Sequence, residues 1–253
     1  MDPVQMQMIV IFCASVFSSA FGTLVGGSSL ISIPLLILLG LPPHTAIGTD
    51  RFGTIGIGVA GLYSFHRQGM VNYRLAFIVG LPCLIGAVIG ANLALQISPE
   101  LLKKFIVALT VALMIFVAAN PGLGVAAAAK RPITAGRYVL GLFLSLLIGI
   151  YGGFYGGGAA TFLSYMMILV FRQTFLESAA NLKVAAIMVS VSSAATYAYH
   201  GAISLPLALA MFAGSCIGSY IGAHYSNRIG NVWIKRLFIG IVLIMAIKLL
   251  MDA

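Results

Sequence analysis

The chain has 253 residues, of which 61% are hydrophobic and 8% charged, with a mean hydropathy of +1.09. A water-soluble domain of this length carries far more charge, and a membrane β-barrel alternates apolar with polar residues where these apolar runs are continuous, so composition points to an all-α polytopic membrane protein. The net charge of +9 is scattered in ones and twos along the chain, which excludes a nucleic-acid-binding face and reads as basic loops facing the cytoplasm.

Ten helical segments are predicted, several approaching the roughly 18–20 apolar residues that cross a bilayer. Segment a covers Met8–Val25. It lacks a basic leader and a small-residue cleavage site, so it is read as a retained first helix and not a signal peptide. Segment b covers Ser28–Leu41 and stops at LPP, c covers Asp50–Phe65, d Leu75–Ile97, and e Leu101–Ala119, stopped by NPG. A linker over 121–136 separates this first membrane repeat (1–120) from a second (137–253). The second comprises a′ (Tyr138–Tyr151), b′ (Gly157–Phe171), c′ (Ala180–Tyr199), d′ (Leu205–Ser226) and e′ (Val232–Met251).

The two halves resemble each other. FGTLVGGS (Phe21–Ser28) matches YGGFYGGG (Tyr151–Gly158) at an offset of 130, and QGMVNYRLAF (Gln68–Phe77) matches HGAISLPLAL (His200–Leu209) at 132. GAVIGANLA (Gly86–Ala94) and GSYIGAHYS (Gly218–Ser226) share the offset of 132. Two copies of a five-segment unit make two inverted-topology repeats, because an odd number of crossings turns the second copy over. The short a–b pairs could instead be re-entrant, Gly-rich broken hairpins, with the same parity. With the N-terminus on one face, the opposite face collects Arg67, Arg74, Lys130, Arg131, Arg137, Arg172, Lys183, Arg228, Lys235 and Arg236, against Arg51, Lys103, Lys104 and Lys248. The positive-inside rule makes the richer face cytoplasmic and puts both termini outside, in a bacterial-type inner membrane.

Adding 132 to Arg51 gives Lys183, so each half places one cation a turn or less into its helix c. A charge inside a spanning helix costs about 2.5–3.5 kcal/mol or more. Either both snorkel to the headgroups, or the two inverted copies bring them together from opposite faces as an anion site, reached in turn as the halves rock. Thr49 and Asn181 align at the starts of c and c′, where their side chains cap a helix or bond an oxyanion. The clusters holding Gly26, Gly27 and Ser28, and Gly156, Gly157 and Gly158, sit where a meets b. They serve either as helix breaks whose backbone N–H groups approach an anion or as small-residue packing. Asp50 has Leu182 at the equivalent position and is a cap, a counter-ion of Arg51, or a proton-coupling carboxylate. The glycines of GAVIG and GSYIG lie far from any break and are read as helix packing.

GIGVAG (Gly56–Gly61) satisfies GxGxxG, but without a preceding strand the nucleotide-binding reading fails. Cys13, Cys83 and Cys216 lie in apolar runs with no CxxC, and His66, His200 and His224 fall at predicted helix ends, so neither a metal, an organic cofactor nor catalysis is implied.

FGTLVGGSSLISIPLLILLGLPPHTAIGTDRF (Phe21–Phe52), HRQGMVNYRLA (His66–Ala76), GIYGGFYGGGAATF (Gly149–Phe162) and AANLKV (Ala179–Val184) resemble the sulfite exporter TauE/SafE family of membrane transporters. The resemblance covers nearly the whole chain. It implies a transporter of sulfite, organosulfonates or related sulfur anions, with coupling to a proton gradient. The family often has four glycines where Gly26, Gly27, Ser28 and Ser29 stand here, and a neutral residue at Asp50. The expectation is a carrier of a small anion working by alternating access within the lipid bilayer; an anion channel and a membrane redox component are the rival classes.

Overall fold

In the computed structural model, which describes residues 3–119 and 134–225, the elements among the described residues are nine α-helices. They are α1 (Pro3–Val25), α2 (Ser29–Leu38), α3 (Pro43–Arg67), α4 (Tyr73–Leu95), α5 (Pro99–Ala119), α6 (Ala135–Phe154), α7 (Ala159–Phe171), α8 (Phe175–Tyr199) and α9 (Leu205–His224). Five of them are long and apolar enough to cross a membrane: 4–24, 73–95, 135–154, 176–199 and 205–224. The predicted linker as far as residue 133 and segment e′ lie outside the described residues.

Two helix starts correct the sequence expectation. Segment c is expected from Asp50, but α3 begins at Pro43, whose missing N–H costs nothing at the first helical position. Segment c′ is expected from Ala180, but α8 begins at Phe175 behind a capping box: Thr174 Oγ1 accepts from Glu177 N at 3.2 Å, and Glu177 Oε2 accepts from Thr174 N at 2.8 Å. Asp50, Arg51 and Lys183 therefore sit about two turns inside their helices. The placement a turn or less from the end does not hold, and neither does the cap reading of Asp50.

α2 and α7, of 10 and 13 residues, are too short to span alone. Each folds back on the helix before it. Gln7 Nε2 donates to Leu39 O at 2.9 Å across the open end of the α1–α2 hairpin, and Arg137 Nη1 donates to Val170 O at 3.1 Å across that of α6–α7. The opposite end of each hairpin is a glycine tip. Gly26 (φ 81°) and Gly156 (φ 81°) take left-handed backbone conformations there, which a residue with a Cβ adopts only at a cost.

α4 faces inward with Ala76, Gly80, Cys83, Ala87, Gly90, Ala91 and Ala94, and outward with Phe77, Leu81, Ile85 and Ile89. Small residues against protein and large apolar ones against the surroundings is the arrangement of a helix in lipid, where packing needs close backbone approach. A Cβ on Gly90 would run into the carbonyl of Ile150 in α6, and one on Gly222 into that of Ala20 in α1. The packing reading of GAVIG and GSYIG is the one the structure supports. Gly90→Leu and Gly222→Leu force backbone apart at a cost of at least about 1–3 kcal/mol. Each is expected to deplete the monodisperse folded peak in size-exclusion chromatography in detergent.

Candidate functional site

Arg51 on α3 and Lys183 on α8 line one cavity of about 80 Å³. That is several times the roughly 10–15 Å³ that holds a single water. Gly22, Gly27, Ser28 and Ser29 at the α1–α2 tip form one part of its wall, and Gly152, Gly156, Ala159 and Ala160 at the α6–α7 tip another. Thr54 and Ser190 add hydroxyls 3.2 Å apart, and Ile57, Cys83, Ile148, Leu163, Leu182 and Val189 close the apolar side. The first turns of α2 and α7 thus begin at the cavity, where the helix dipole favours negative charge; Leu30 N and Ala159 N there donate to Gly27 O and Gly156 O at 2.9 and 3.1 Å.

Both cations are buried, Arg51 at 4% and Lys183 at 1% exposure, so neither snorkels to a headgroup. Arg51 pairs with Asp50, its neighbour in sequence. Ser29 Oγ receives Arg51 Nη2 at 2.7 Å and donates to Asp50 Oδ2 at 2.8 Å, and Ser32 Oγ donates to Asp50 Oδ1. Arg51 Nη1 reaches Gly152 O at 3.4 Å, while its Nε has no acceptor. Lys183 differs: among the described residues it has no carboxylate partner, and its Nζ donates to Thr23 O at 2.6 Å. Each cation therefore reaches a carbonyl in the last turn of the helix that leads into a glycine tip, Gly152 of α6 or Thr23 of α1. Two cations against one carboxylate leave the site formally positive.

The other expected residues divide. Gly27, Ser28 and Gly156 line the cavity. Gly26 abuts α7, since a Cβ there would lie 2.7 Å from Thr161 N, and a Cβ on Gly156 would strike the Arg51 guanidinium. Gly157 and Gly158 complete the second tip, Gly158 with φ 77°. Thr49 and Asn181 are not on the cavity wall. Thr49 Oγ1 accepts from Ser204 N at 3.0 Å, and Asn181 Oδ1 accepts from Asn72 N at 2.6 Å. Ser204 and Asn72 are the N-cap residues of α9 and α4. Adding 132 to 49 gives 181, and subtracting it from 204 gives 72, so this is one contact made twice. Thr49→Val and Asn181→Leu each orphan a backbone N–H, at about 1–3 kcal/mol. Both variants are expected to melt earlier in detergent yet keep their substrate KM.

Ser29 belongs to the VGGSS cluster of the sequence, whereas Ser32, Thr54 and Ser190 carry no local signal of a role at the site. Ser29 and Ser32 are three apart on α2, so both face Asp50, but nothing local names that partner. Among the described residues no cluster of three or more His, Cys, Asp or Glu gathers around a point.

The family model described as "Sulfite exporter TauE/SafE" matches residues 10–249. The chain belongs to the sulfite exporter TauE/SafE family. Curated relatives include a "Probable membrane transporter protein" of Haemophilus influenzae, 26% identical over 97% of this chain and 95% of its own. A "Probable membrane transporter protein ORF9" of a Sinorhizobium species is 29% identical over 96% and 92%. A third, "Probable membrane transporter protein YdhB" of Bacillus subtilis, is 24% identical over 90% and 92%. No solved structure matches. Family and relatives are membrane transporters and not enzymes, and the TauE/SafE protein described here is integral to the membrane.

Proposed function

We propose that the protein carries a small oxyanion, a sulfur oxyanion such as sulfite or an organosulfonate, across a bacterial-type inner membrane by alternating access. The observation that carries this reading is the cavity shared by Arg51 and Lys183. Two residues at equivalent places in the two halves supply its positive charge, and both glycine tips with their helix N-termini face it. The partly free Arg51 fork and the Lys183 ammonium take the anion's oxygens, with Ser28, Thr54 and Ser190 as further donors. The sulfur chemistry rests on the family description. Asp50, which pairs with Arg51, is our candidate for coupling a proton to the anion. In this reading the two halves are inverted-topology repeats, the a–b hairpins are re-entrant, as the 10- and 13-residue lengths of α2 and α7 support, and both termini lie outside, as the distribution of basic residues supports.

Counterflow of labelled sulfite into proteoliposomes, competed by unlabelled thiosulfate, sulfonates and carboxylates, tests this. Saturable exchange competed by the sulfur oxyanions is expected. Anion flux without counterflow would make the protein a channel. Absence of exchange for every anion in folded protein would remove the anion site.

A further inference from the structure

Alternating access needs two bodies that move against each other with the cavity between them, and sequence order suggests the two halves as those bodies. The packing divides the molecule differently. α9 lies on α1 and α3, and α4 lies on α6 and α8, so each half lends its fourth helix to the other. These lent helices are the tightly seated ones. Cβ atoms on Gly218 and Gly222 of α9 would strike the carbonyls of Val16 and Ala20, and those on Gly86 and Gly90 of α4 the carbonyls of Leu146 and Ile150. Ser19 and Ser215 hydroxyls meet at 3.2 Å across α1–α9, Cys83 Sγ donates to Ser145 O at 3.1 Å across α4–α6, and the Thr49 and Asn181 contacts fasten α9 to α3 and α4 to α8.

The seam between these two sets is mixed: the Gly26 tip lies against the α7 backbone at Thr161, and His44 Nε2 of α3 lies 3.1 Å from Ala94 O and Ile97 O at the end of α4, but around the cavity it is bridged by side chains. It runs chiefly along α3 against α8 and holds the cavity. Polar contacts that cross it at the cavity include Lys183 to Thr23 O, Arg51 to Gly152 O, and Thr54 with Ser190. The Lys183 and Arg51 contacts come from the two groups that bind the anion in the reading above. Sliding a backbone-to-backbone seam drives carbonyls into helices, whereas side-chain bonds around a cavity can be exchanged for bonds to a ligand.

We propose that the moving bodies are α1–α2–α3–α9 and α6–α7–α8–α4, joined by the crossover loops 68–72 and 200–204, and not the N-terminal and C-terminal halves. The anion releases both cations from the carbonyls across the seam, so occupancy and motion are linked. This proposal rests on the transport reading above.

The test is a disulfide between α1 and α9, made as Ser19→Cys with Ser215→Cys while Cys13 and Cys216 are changed to Ser. It joins the two sequence halves but lies within one proposed body. Closure is followed by mass spectrometry and thiol counting, counterflow by labelled sulfite, and opening by labelling of the native cavity residue Cys83 with a membrane-impermeant maleimide added to either side. The expected result is unchanged exchange in the fully oxidised protein and Cys83 labelling from both sides. Loss of exchange, or of labelling from one side, that reductant restores would overturn the proposal. Two-sided labelling in an oxidised protein that exchanges none of the anions would retain the bodies and remove the anion reading instead.

Discussion

Arg51→Gln is expected to abolish anion exchange and also to loosen the fold. Asp50 is fully buried, and its charge is answered by Arg51 together with the hydroxyls of Ser29 and Ser32. Removing one partner of a buried pair leaves an uncompensated charge and costs about 3–5 kcal/mol. The transport loss and the stability loss have different causes, and a second substitution separates them. Asp50→Asn added to Arg51→Gln removes the stranded carboxylate charge while keeping a group of similar shape beside the two serines. The double variant is expected to recover most of the lost thermal stability in detergent but none of the exchange. Recovery of exchange would mean that Arg51 serves only to neutralise Asp50.

Lys183→Met is expected to abolish exchange without loosening the fold. Lys183 has no carboxylate to strand, and its ammonium meets a single backbone carbonyl, that of Thr23. Its loss forgoes one hydrogen bond to a charged donor, about 1.5–3 kcal/mol. It also relieves the cost of a charge within the membrane, about 2.5–3.5 kcal/mol. Methionine fills nearly the same channel beside Gly61, where the lysine stem runs close to the α3 backbone. Thermal unfolding in detergent is expected to match or exceed that of the unmodified protein. The two cations are thus expected to differ in their effect on stability and to agree in their effect on transport. Wild-type exchange by the Lys183→Met protein would exclude an anion site held from both sides.

The sequence makes visible whatever recurs or punctuates. The glycine tips at Gly26 and Gly156, the match of Arg51 with Lys183 and the packing glycines of α4 and α9 all follow from repeated short patterns. Helix starts were harder to place. Asp50 drew the start of α3 toward itself because a lone carboxylate before an apolar run resembles a cap, while Pro43 and the Thr174–Glu177 box hold the starts. Thr49 and Asn181 illustrate a different limit. Their alignment is legible in the sequence, but each lies inside its helix and not at its start, and accepts from the N–H of an N-cap residue 155 or 109 residues away. The partner of the Ser29 and Ser32 hydroxyls is illegible for the same reason, since tertiary packing chooses it. The lending of α4 and α9 between halves leaves no trace in local pattern, because small residues seat equally well on either neighbour.

The central claim is that one anion binds between Arg51 and Lys183 inside the membrane. Crystals of the purified protein equilibrated with a selenium oxyanion test it most directly, because anomalous scattering locates the heavy atom without reference to the protein's own density. The expected result is a single strong peak in the cavity, within hydrogen-bonding reach of both side chains and absent from the Lys183→Met protein. A peak elsewhere, or one in the cavity that persists unchanged without the lysine, would contradict it.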